Sequence, residues 1–136
     1  MSSQLPASSY SDLIQAALKA WERAHAPYSG FRVGSALEDF TGRIYTGCNI
    51  ENATYGLTIC AERVATFKAI SEGARNFRRI AIVADTDELT PPCGACRQIL
   101  WEFCGDIEIA LANLQGSVEM WRLKDLLPKA FDRRFL

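Results

Sequence analysis

The chain has 136 residues, a length typical of one domain, so we expect residues 1–136 to fold as a single unit. Hydrophobic residues make up 49% of the chain and charged residues 23%, which is typical of a soluble globular protein rather than a disordered one. The formal net charge of −1 predicts no general attraction to nucleic acid or an anionic membrane, and no apolar run reaches the roughly 18 residues of a membrane span.

The first predicted elements are a helix and a β-hairpin. Apolar residues recur at helical spacing before Pro27, which predicts the helix. They are Leu13, Ile14, Ala17, Leu18 and Trp21. Strands over 33–40 and 43–50 follow, and the Thr41-Gly42 turn joins them into a hairpin.

The rest of the chain alternates between helices and strands. The predicted elements are a helix over 58–73, a buried strand over 79–84, a helix over 94–103, strands over 107–114 and 117–121, and a short helix over 123–127. The resulting order, α-β-β-α-β-α-β-β-α, predicts an α/β fold with a mixed five-stranded sheet covered by helices.

Cysteine usage narrows the chemistry. An odd number of cysteines, without the charged start of a secretory signal in Met1–Pro6, argues against a disulfide framework and favours metal binding or redox chemistry. We therefore expect a cytoplasmic enzyme or binding domain. The single histidine, His25, disfavours histidine-based catalysis and His-rich metal sites. The cysteines are Cys48, Cys60, Cys93, Cys96 and Cys104.

Three cysteines lie at the predicted starts of two helices. Cys93 and Cys96 are three residues apart, so both sulfurs face one side of a helical turn and can reach one ion. A C-x-x-C pair alone also fits a thioredoxin-like redox site. Cys60 lies at the start of the preceding long helix, and two helix N-termini that meet at one place stabilise thiolates.

Three thiolate ligands indicate a catalytic rather than a structural zinc site. Structural zinc usually has four protein ligands, whereas a site with three keeps one position for water. Glu62, two residues after Cys60, can reach that water as a general acid and base. Arg63 and the two helix N-termini can offset the excess negative charge of three thiolates.

These residues resemble the zinc deaminases that act on nucleobases, and in particular the small homotetrameric cytidine deaminases. The metal motifs are Cys60-Ala61-Glu62 and Pro92-Cys93-Gly94-Ala95-Cys96-Arg97-Gln98. Further matching segments are Pro27-Tyr28-Ser29, Phe31, Val33-Gly34, Gly47-Cys48-Asn49-Ile50-Glu51-Asn52, Tyr55, Leu126-Leu127-Pro128 and Ala130-Phe131. The resemblance covers residues 10–131, nearly the whole chain.

The resemblance implies a three-layer α-β-α sandwich that assembles into a homotetramer with sites shared between subunits. It implies zinc-dependent hydrolytic deamination of cytidine and 2′-deoxycytidine to uridine and 2′-deoxyuridine in pyrimidine salvage. The partner is then a small nucleoside, with no nucleic acid and no membrane.

The resemblance also implies the roles of the metal-site residues. Cys60, Cys93 and Cys96 would hold zinc. Glu62 would carry a proton from water to the ring and then to the leaving ammonia, and Arg63 would hydrogen-bond the ligand thiolates.

The implied substrate contacts lie elsewhere in the chain. Asn49 and Glu51 would hydrogen-bond the ribose 3′-hydroxyl, and Phe31 would stack on the pyrimidine. The backbone N–H of Ala61 would hold the ring carbonyl. Tyr55 and Phe131 would reach the site of a neighbouring subunit.

Other functions remain open at this point. A related zinc deaminase could act on blasticidin S or on a base within nucleic acid, although Glu51 would clash with a chain that continues through the 3′ oxygen. From other classes, the chain could be a C-x-x-C thiol redox module or a non-catalytic zinc-binding domain. In a closed structural site, Cys48 or Cys104 would be the fourth ligand; otherwise both pack in the interior.

Single residues also have simpler interpretations. Asn49 and Glu51 could be turn and surface residues. His25 is predicted to close the first helix as a cation near its C-terminus. The basic cluster of Arg75, Arg78 and Arg79 is predicted to be a solvated surface.

Overall fold

A computed structural model describes residues 7–136, with side chains from Tyr10 onward. The expectation for Met1–Pro6 lies outside these residues. The described elements are α1 (Ala7–Glu22), β1 (Val33–Asp39), β2 (Ile44–Cys48), α2 (Ala61–Ser71), β3 (Phe77–Ala84), α3 (Gly94–Cys104), β4 (Glu108–Ala112), β5 (Val118–Arg122) and α4 (Leu123–Leu126). This is the predicted order, with two additional 3-10 turns at Tyr55–Leu57 and Arg133–Phe135.

The strands form one mixed sheet of five strands in the order β2-β1-β3-β4-β5. β3 and β4 are parallel, whereas the hairpins β1–β2 and β4–β5 and the central pair β1–β3 are antiparallel. The α3 segment connects the two parallel strands, as parallel pairing requires a crossover. The predicted mixed five-stranded α/β fold is confirmed.

One face of the sheet carries small side chains and is covered by α1. Leu13 and Ala17 of α1 pack there against alanines of the central strands, including Ala36 and Ala81. Gly34 permits the closest approach, because a Cβ at this position would clash with the backbone of Ala17 and Trp21. The small residues therefore determine how closely α1 lies on the sheet.

The opposite face carries large side chains and is covered by α2 and α3. Each fully buried Leu or Ile side chain contributes roughly 1.5–3 kcal/mol to folding, so this face holds most of the apolar core. Its large sheet residues are Leu37, Ile80, Ile82, Ile109 and Leu111. Helices on both faces give the three-layer α-β-α arrangement.

Two local predictions are wrong. Arg79 is 2% exposed rather than solvated. Its Nε donates to Glu38 Oε1 at 2.5 Å, and its guanidinium lies 3.9 Å from the ring centre of Tyr10. α1 ends at Glu22, and His25 lies beyond it, where its backbone joins the segment that follows β2.

No helix in residues 7–136 has the length and hydrophobicity needed to cross a bilayer.

Candidate metal and catalytic site

The three predicted metal ligands lie at the N-termini of α2 and α3. Cys60 and Cys93 each occupy the extended residue immediately before a helix, and Cys96 lies in the first turn of α3. The prediction placed Cys60 inside the first turn of a helix over 58–73, whereas α2 begins at Ala61. All three sulfur atoms lie within 4.8 Å of one another. Two helix starts on the same face of the sheet therefore bring the sulfurs together, as the spacing predicts.

The sulfur cluster fits a zinc ion. Tetrahedral zinc with Zn–S bonds of about 2.3 Å places neighbouring sulfurs about 3.8 Å apart. The Sγ atoms of Cys60 and Cys93 are 3.9 Å apart. Thiolates are soft donors that zinc prefers, so both the distance and the donor type suit this ion.

Cys48 and Cys104 lie outside the cluster. Among the described residues, the group of possible metal ligands contains Cys60, Cys93 and Cys96. The Cys48 thiol donates instead to the backbone oxygen of Arg23 at 3.6 Å. Burial raises the pKa of Cys104 to about 12, so its thiol stays protonated. A three-cysteine site therefore fits better than a closed site of four.

Hydrogen bonds stabilise a thiolate at Cys60. A hydrogen bond from the Cys96 thiol and another from Arg63 lower the pKa of Cys60 to about 5. Arg63 Nη2 donates to Cys60 Sγ at 3.2 Å. Its buried Nε has no partner among the residues that the structure describes. The hydrogen bond to Cys60 and burial raise the pKa of Cys96.

Glu62 is a buried carboxylate beside the sulfur cluster. It is 5% exposed and lies in the first turn of α2. Burial raises the pKa of Glu62 to about 7, because the charged form loses its hydration. A carboxyl group with a pKa near neutrality can both accept and release a proton, which general acid–base catalysis requires.

A cavity of about 200 Å³, called the inner cavity below, is lined by Glu62 and by two of the three clustered cysteines, Cys60 and Cys93. Apolar side chains form most of its wall, while Glu62, Asn49 and the cysteines provide polar groups. Such a mixture is typical of small-molecule sites. The lining residues are Phe31, Val33, Asn49, Thr58, Ile59, Cys60, Ala61, Glu62, Ile82, Thr90, Pro91 and Cys93.

Asn49 is buried and holds the loop that carries Phe31. Its Oδ1 accepts from the Val33 N–H at 2.9 Å, and its Nδ2 donates to the Phe31 carbonyl at 2.8 Å. It follows the end of β2 and lines the cavity. The simpler interpretation, a surface turn residue, is therefore wrong for Asn49.

Glu51 lines a second cavity of about 310 Å³, called the outer cavity below. Thr58 lines both cavities, so the two adjoin each other. Its Oε1 accepts from the backbone N–H groups of Tyr28 and Ser29 at 2.9 and 3.1 Å. A hydrogen bond from the Ser29 hydroxyl, together with these two backbone hydrogen bonds, holds the pKa of Glu51 below its ordinary value. The carboxylate is thus ionised beside the cavity.

Like Glu51, the predicted substrate residues Tyr55 and Phe131 do not line the inner cavity of this chain. Tyr55 is 76% exposed and borders the outer cavity, where its ring meets Tyr28 edge-on at 6.3 Å. Phe131 is 56% exposed and stacks on Phe135 at 5.9 Å.

Two residues of the cysteine motif hold the C-terminal segment. Arg97 donates through Nε to the Pro92 carbonyl and through Nη1 to the Leu126 carbonyl, both at 2.7 Å. Gln98 Nε2 donates to the Phe131 carbonyl at 2.6 Å. Sequence reasoning gave these residues no role. Their position directly after Cys96 was the sequence feature that could have indicated a role at the site.

The segment of the chain that contains the site matches the model of a known protein family. Residues 7–111 match the family described as the cytidine and deoxycytidylate deaminase zinc-binding region. The match includes the three clustered cysteines and Glu62.

Individual relatives are similar over most of the chain. A cytidine deaminase of Sporosarcina psychrophila is 51% identical over 125 residues, which are 91% of this chain and 92% of the relative. One from Halalkalibacterium halodurans is 53% identical over 120 residues, covering 88% and 91%. The crystal structure of cytidine deaminase from Burkholderia pseudomallei superposes with a TM-score of 0.87 at 48% identity, covering 90% of this chain and 98% of that one.

A relative named for a different substrate is less similar. The blasticidin-S deaminase of Bacillus cereus is 29% identical over 109 residues, which are 74% of this chain and 77% of the relative.

Proposed function

The chain belongs to the cytidine and deoxycytidylate deaminase family, and from this premise we propose that it hydrolytically deaminates cytidine and 2′-deoxycytidine to uridine and 2′-deoxyuridine. One observation carries the proposal: the buried carboxyl group of Glu62, whose pKa burial raises to about 7, lines the same cavity as Cys60 and Cys93 of the three-sulfur cluster. Relatives at 51% and 53% identity carry the name cytidine deaminase, which supports cytidine as the substrate.

Cys60, Cys93 and Cys96 hold zinc in the proposed enzyme. When bound, zinc supplies Lewis-acid activation of water at neutral pH. Arg63 donates to Cys60 Sγ and keeps that ligand in the thiolate form. The positive ends of α2 and α3 also offset the charge of three thiolates.

Glu62 moves the protons of the proposed reaction. Its carboxylate accepts a proton from the attacking water and delivers it to N3 of the ring, which gains electron density when C4 is attacked. The carboxylate then takes the remaining proton from the hydroxyl group on C4 and passes it to the exocyclic amino group. The C4–N bond breaks as the C4 carbonyl forms, so cytidine and water become uridine and ammonia. The buried position of Glu62 excludes bulk water and keeps its pKa close to the working pH.

Phe31 and the backbone N–H of Ala61 position the base in our proposal. Both residues line the inner cavity, and Phe31 provides an aromatic ring on which a pyrimidine stacks. The Ala61 N–H belongs to the first turn of α2, where backbone donors lack helical partners and can bind the ring carbonyl.

Asn49 and Glu51 bind the ribose 3′-hydroxyl in the proposed complex. Both are held in place by backbone groups of residues 28–33, and an ionised Glu51 accepts a hydroxyl hydrogen bond. A nucleic-acid strand would place a phosphate beside this carboxylate, which disfavours such substrates. The net charge of −1 agrees, because single-stranded substrates require a basic groove.

We propose further that the chain forms one domain and assembles as a homotetramer with shared sites. The exposure of Tyr55 and Phe131, outside the inner cavity, supports a role in completing a neighbour's site. Dilution to monomers should then abolish turnover, which analytical ultracentrifugation and activity assays at matched concentrations test. Retained turnover by monomers contradicts shared sites.

Conversion of free nucleosides suits cytoplasmic pyrimidine salvage.

A substrate panel tests the proposed function. Zinc-loaded protein is assayed with cytidine, 2′-deoxycytidine, blasticidin S and a cytosine-containing oligonucleotide, and the ultraviolet change on deamination is followed. We expect conversion of the two nucleosides and neither of the other compounds. Turnover of blasticidin S alone would overturn the proposed substrate and retain the metal site.

Thiol titration tests the redox alternative. Zinc binding predicts that Cys93 and Cys96 are protected from a thiol reagent until a chelator removes the metal. A redox pair predicts that both thiols react freely without chelator.

A further inference from the structure

The Ser29 hydroxyl connects Glu51 to the backbone of Phe31. The hydroxyl donates to Glu51 Oε2, and the N–H of Phe31 donates to Ser29 Oγ at 3.0 Å. The Ser29 N–H also donates to Glu51 Oε1 at 3.1 Å. One side chain thus joins a residue of the proposed sugar site to one of the proposed base site.

Phe31 is held from both sides by this network. Its N–H reaches Glu51 through Ser29, and its carbonyl accepts directly from Asn49 Nδ2 at 2.8 Å. Phe31 lies in the inner cavity wall, and 42% of the residue is exposed. The two backbone hydrogen bonds fix the main chain from which the ring extends.

Resting on the proposed function, we propose that Ser29 is a positioning residue for the nucleoside, which orients the Glu51 carboxylate and sets Phe31 against the base. A serine hydroxyl has one proton, and here it is donated to Glu51. Ser29 therefore acts through Glu51 and Phe31 and does not donate to the substrate. The Glu51 carboxylate retains acceptor capacity for a sugar hydroxyl, because it has about four lone-pair sites.

The turn that contains Ser29 has support of its own. Gly30 adopts a φ of +70°, and its N–H donates to the Ala26 carbonyl at 3.0 Å. Removing the Ser29 hydroxyl leaves this turn hydrogen bond intact. We therefore expect a Ser29 variant to fold normally and to lose only the alignment of Glu51 and Phe31.

Steady-state kinetics with cytidine provide the first test. Ser29→Ala should raise KM about tenfold and change kcat less than threefold, because the lost alignment weakens binding of ground state and transition state alike. Ser29→Thr keeps the hydroxyl and should restore KM to within threefold of the parent. Ser71→Ala is the matched control, since Ser71 Oγ donates to the Lys68 carbonyl at the far end of α2 and should leave both constants unchanged.

A double-mutant cycle separates positioning from a general structural effect. In the Glu51→Gln background, Ser29→Ala should lower kcat/KM by less than threefold, because its charged partner is already lost. An equal loss in both backgrounds would overturn the proposal, as would a fall in kcat with KM unchanged.

Amide hydrogen exchange gives a readout that needs neither turnover nor zinc. Protection of the Phe31 amide should fall at least tenfold in Ser29→Ala and persist in Ser29→Thr, while the Gly30 amide stays protected in both. Unchanged protection of Phe31 in Ser29→Ala would overturn the positioning role. If the parent protein does not convert cytidine, the proposed function is rejected, but the Ser29 proposal is not. The exchange result still decides whether Ser29 holds Phe31.

Discussion

The inner cavity has two walls that are built in different ways. On the metal side, which carries the clustered cysteines and Glu62, helix geometry places the reactive groups. Cys60 and Cys93 immediately precede α2 and α3, and Glu62 is the second residue of α2. On the sugar side, polar side chains place the loop 26–33 through hydrogen bonds to its backbone. Secondary structure thus positions the proposed catalytic groups, while side-chain hydrogen bonds position the loop beside the proposed sugar contacts. Substitutions on the metal side should abolish turnover, and those on the sugar side should weaken binding by degrees.

The largest effect should come from Glu62→Gln. The amide has nearly the shape of the acid but cannot carry the proton, so kcat should fall about 10³-fold while fold and zinc content persist. Steady-state assays with metal analysis of the same sample measure this. Glu72→Gln is the control, because Glu72 follows α2 at its other end and pairs with Arg43 at the surface. A kcat within tenfold of the parent would contradict the role of Glu62.

Loss of one sulfur ligand should remove the metal. Cys96→Ser replaces a thiolate of the cluster with a hydroxyl, which is a poor zinc ligand, so bound zinc after dialysis should fall from about one per chain to a small fraction. Cys48→Ser should keep its zinc, since Cys48 lies outside the cluster. Equal zinc contents in the two variants would contradict the ligand assignment.

Gly47→Ala should disturb the metal side from a distance. A Cβ at this position of β2 would lie 2.5 Å from the Ala61 carbonyl oxygen and 2.5 Å from the Ala65 nitrogen, so the start of α2 must shift. Overpacking of this kind costs about 1–3 kcal/mol of unfolding free energy, which thermal denaturation measures. Gly56→Ala meets open space and should keep its melting temperature. Equal stabilities would show that close packing at Gly47 does not position α2.

The smallest effect should come from Asn49→Ala on the sugar side. It removes the hydrogen bonds to Phe31 and Val33, so KM for cytidine should rise about tenfold with kcat much less affected. Asn76→Ala, at an exposed residue near the other end of the sheet, should change neither constant. A loss of kcat as large as that of Glu62→Gln would erase the distinction between the two walls.

The metal side was predictable from the residues themselves. Cys60, Cys93 and Cys96 stand at helix starts in the hydrophobic pattern, and convergence of helix N-termini is a general property of α/β sheets. The order of helices and strands was equally predictable, because the apolar residues of most segments recur at helix or strand spacing. The bounds differ by up to three residues at either end of an element, and Cys60 precedes α2 rather than lying inside it.

The sugar side could not be predicted from periodicity. Asn49 and Glu51 follow a strand and look like turn residues, and only the family resemblance singled them out. Their partners are backbone groups of a loop some 20 residues earlier, which no local pattern reveals. Ser29 likewise gains its role from tertiary contacts alone.

The prediction that Arg79 is solvated was wrong for a related reason. A basic cluster indicates a solvated surface, but strand pairing places Glu38 directly opposite Arg79 in the sheet, and Tyr10 of α1 covers the guanidinium. A buried arginine needs such a partner, and the partner belongs to another strand.

Stepwise zinc reconstitution tests whether deamination depends on zinc bound by the three cysteines. Protein stripped of metal by a chelator is titrated with zinc while cytidine turnover and bound zinc are measured in the same samples. We expect no turnover in the stripped protein, a linear rise with bound zinc and a plateau at about one zinc per chain. Full cytidine turnover by zinc-free protein, or zinc-saturated protein without turnover, would contradict this dependence.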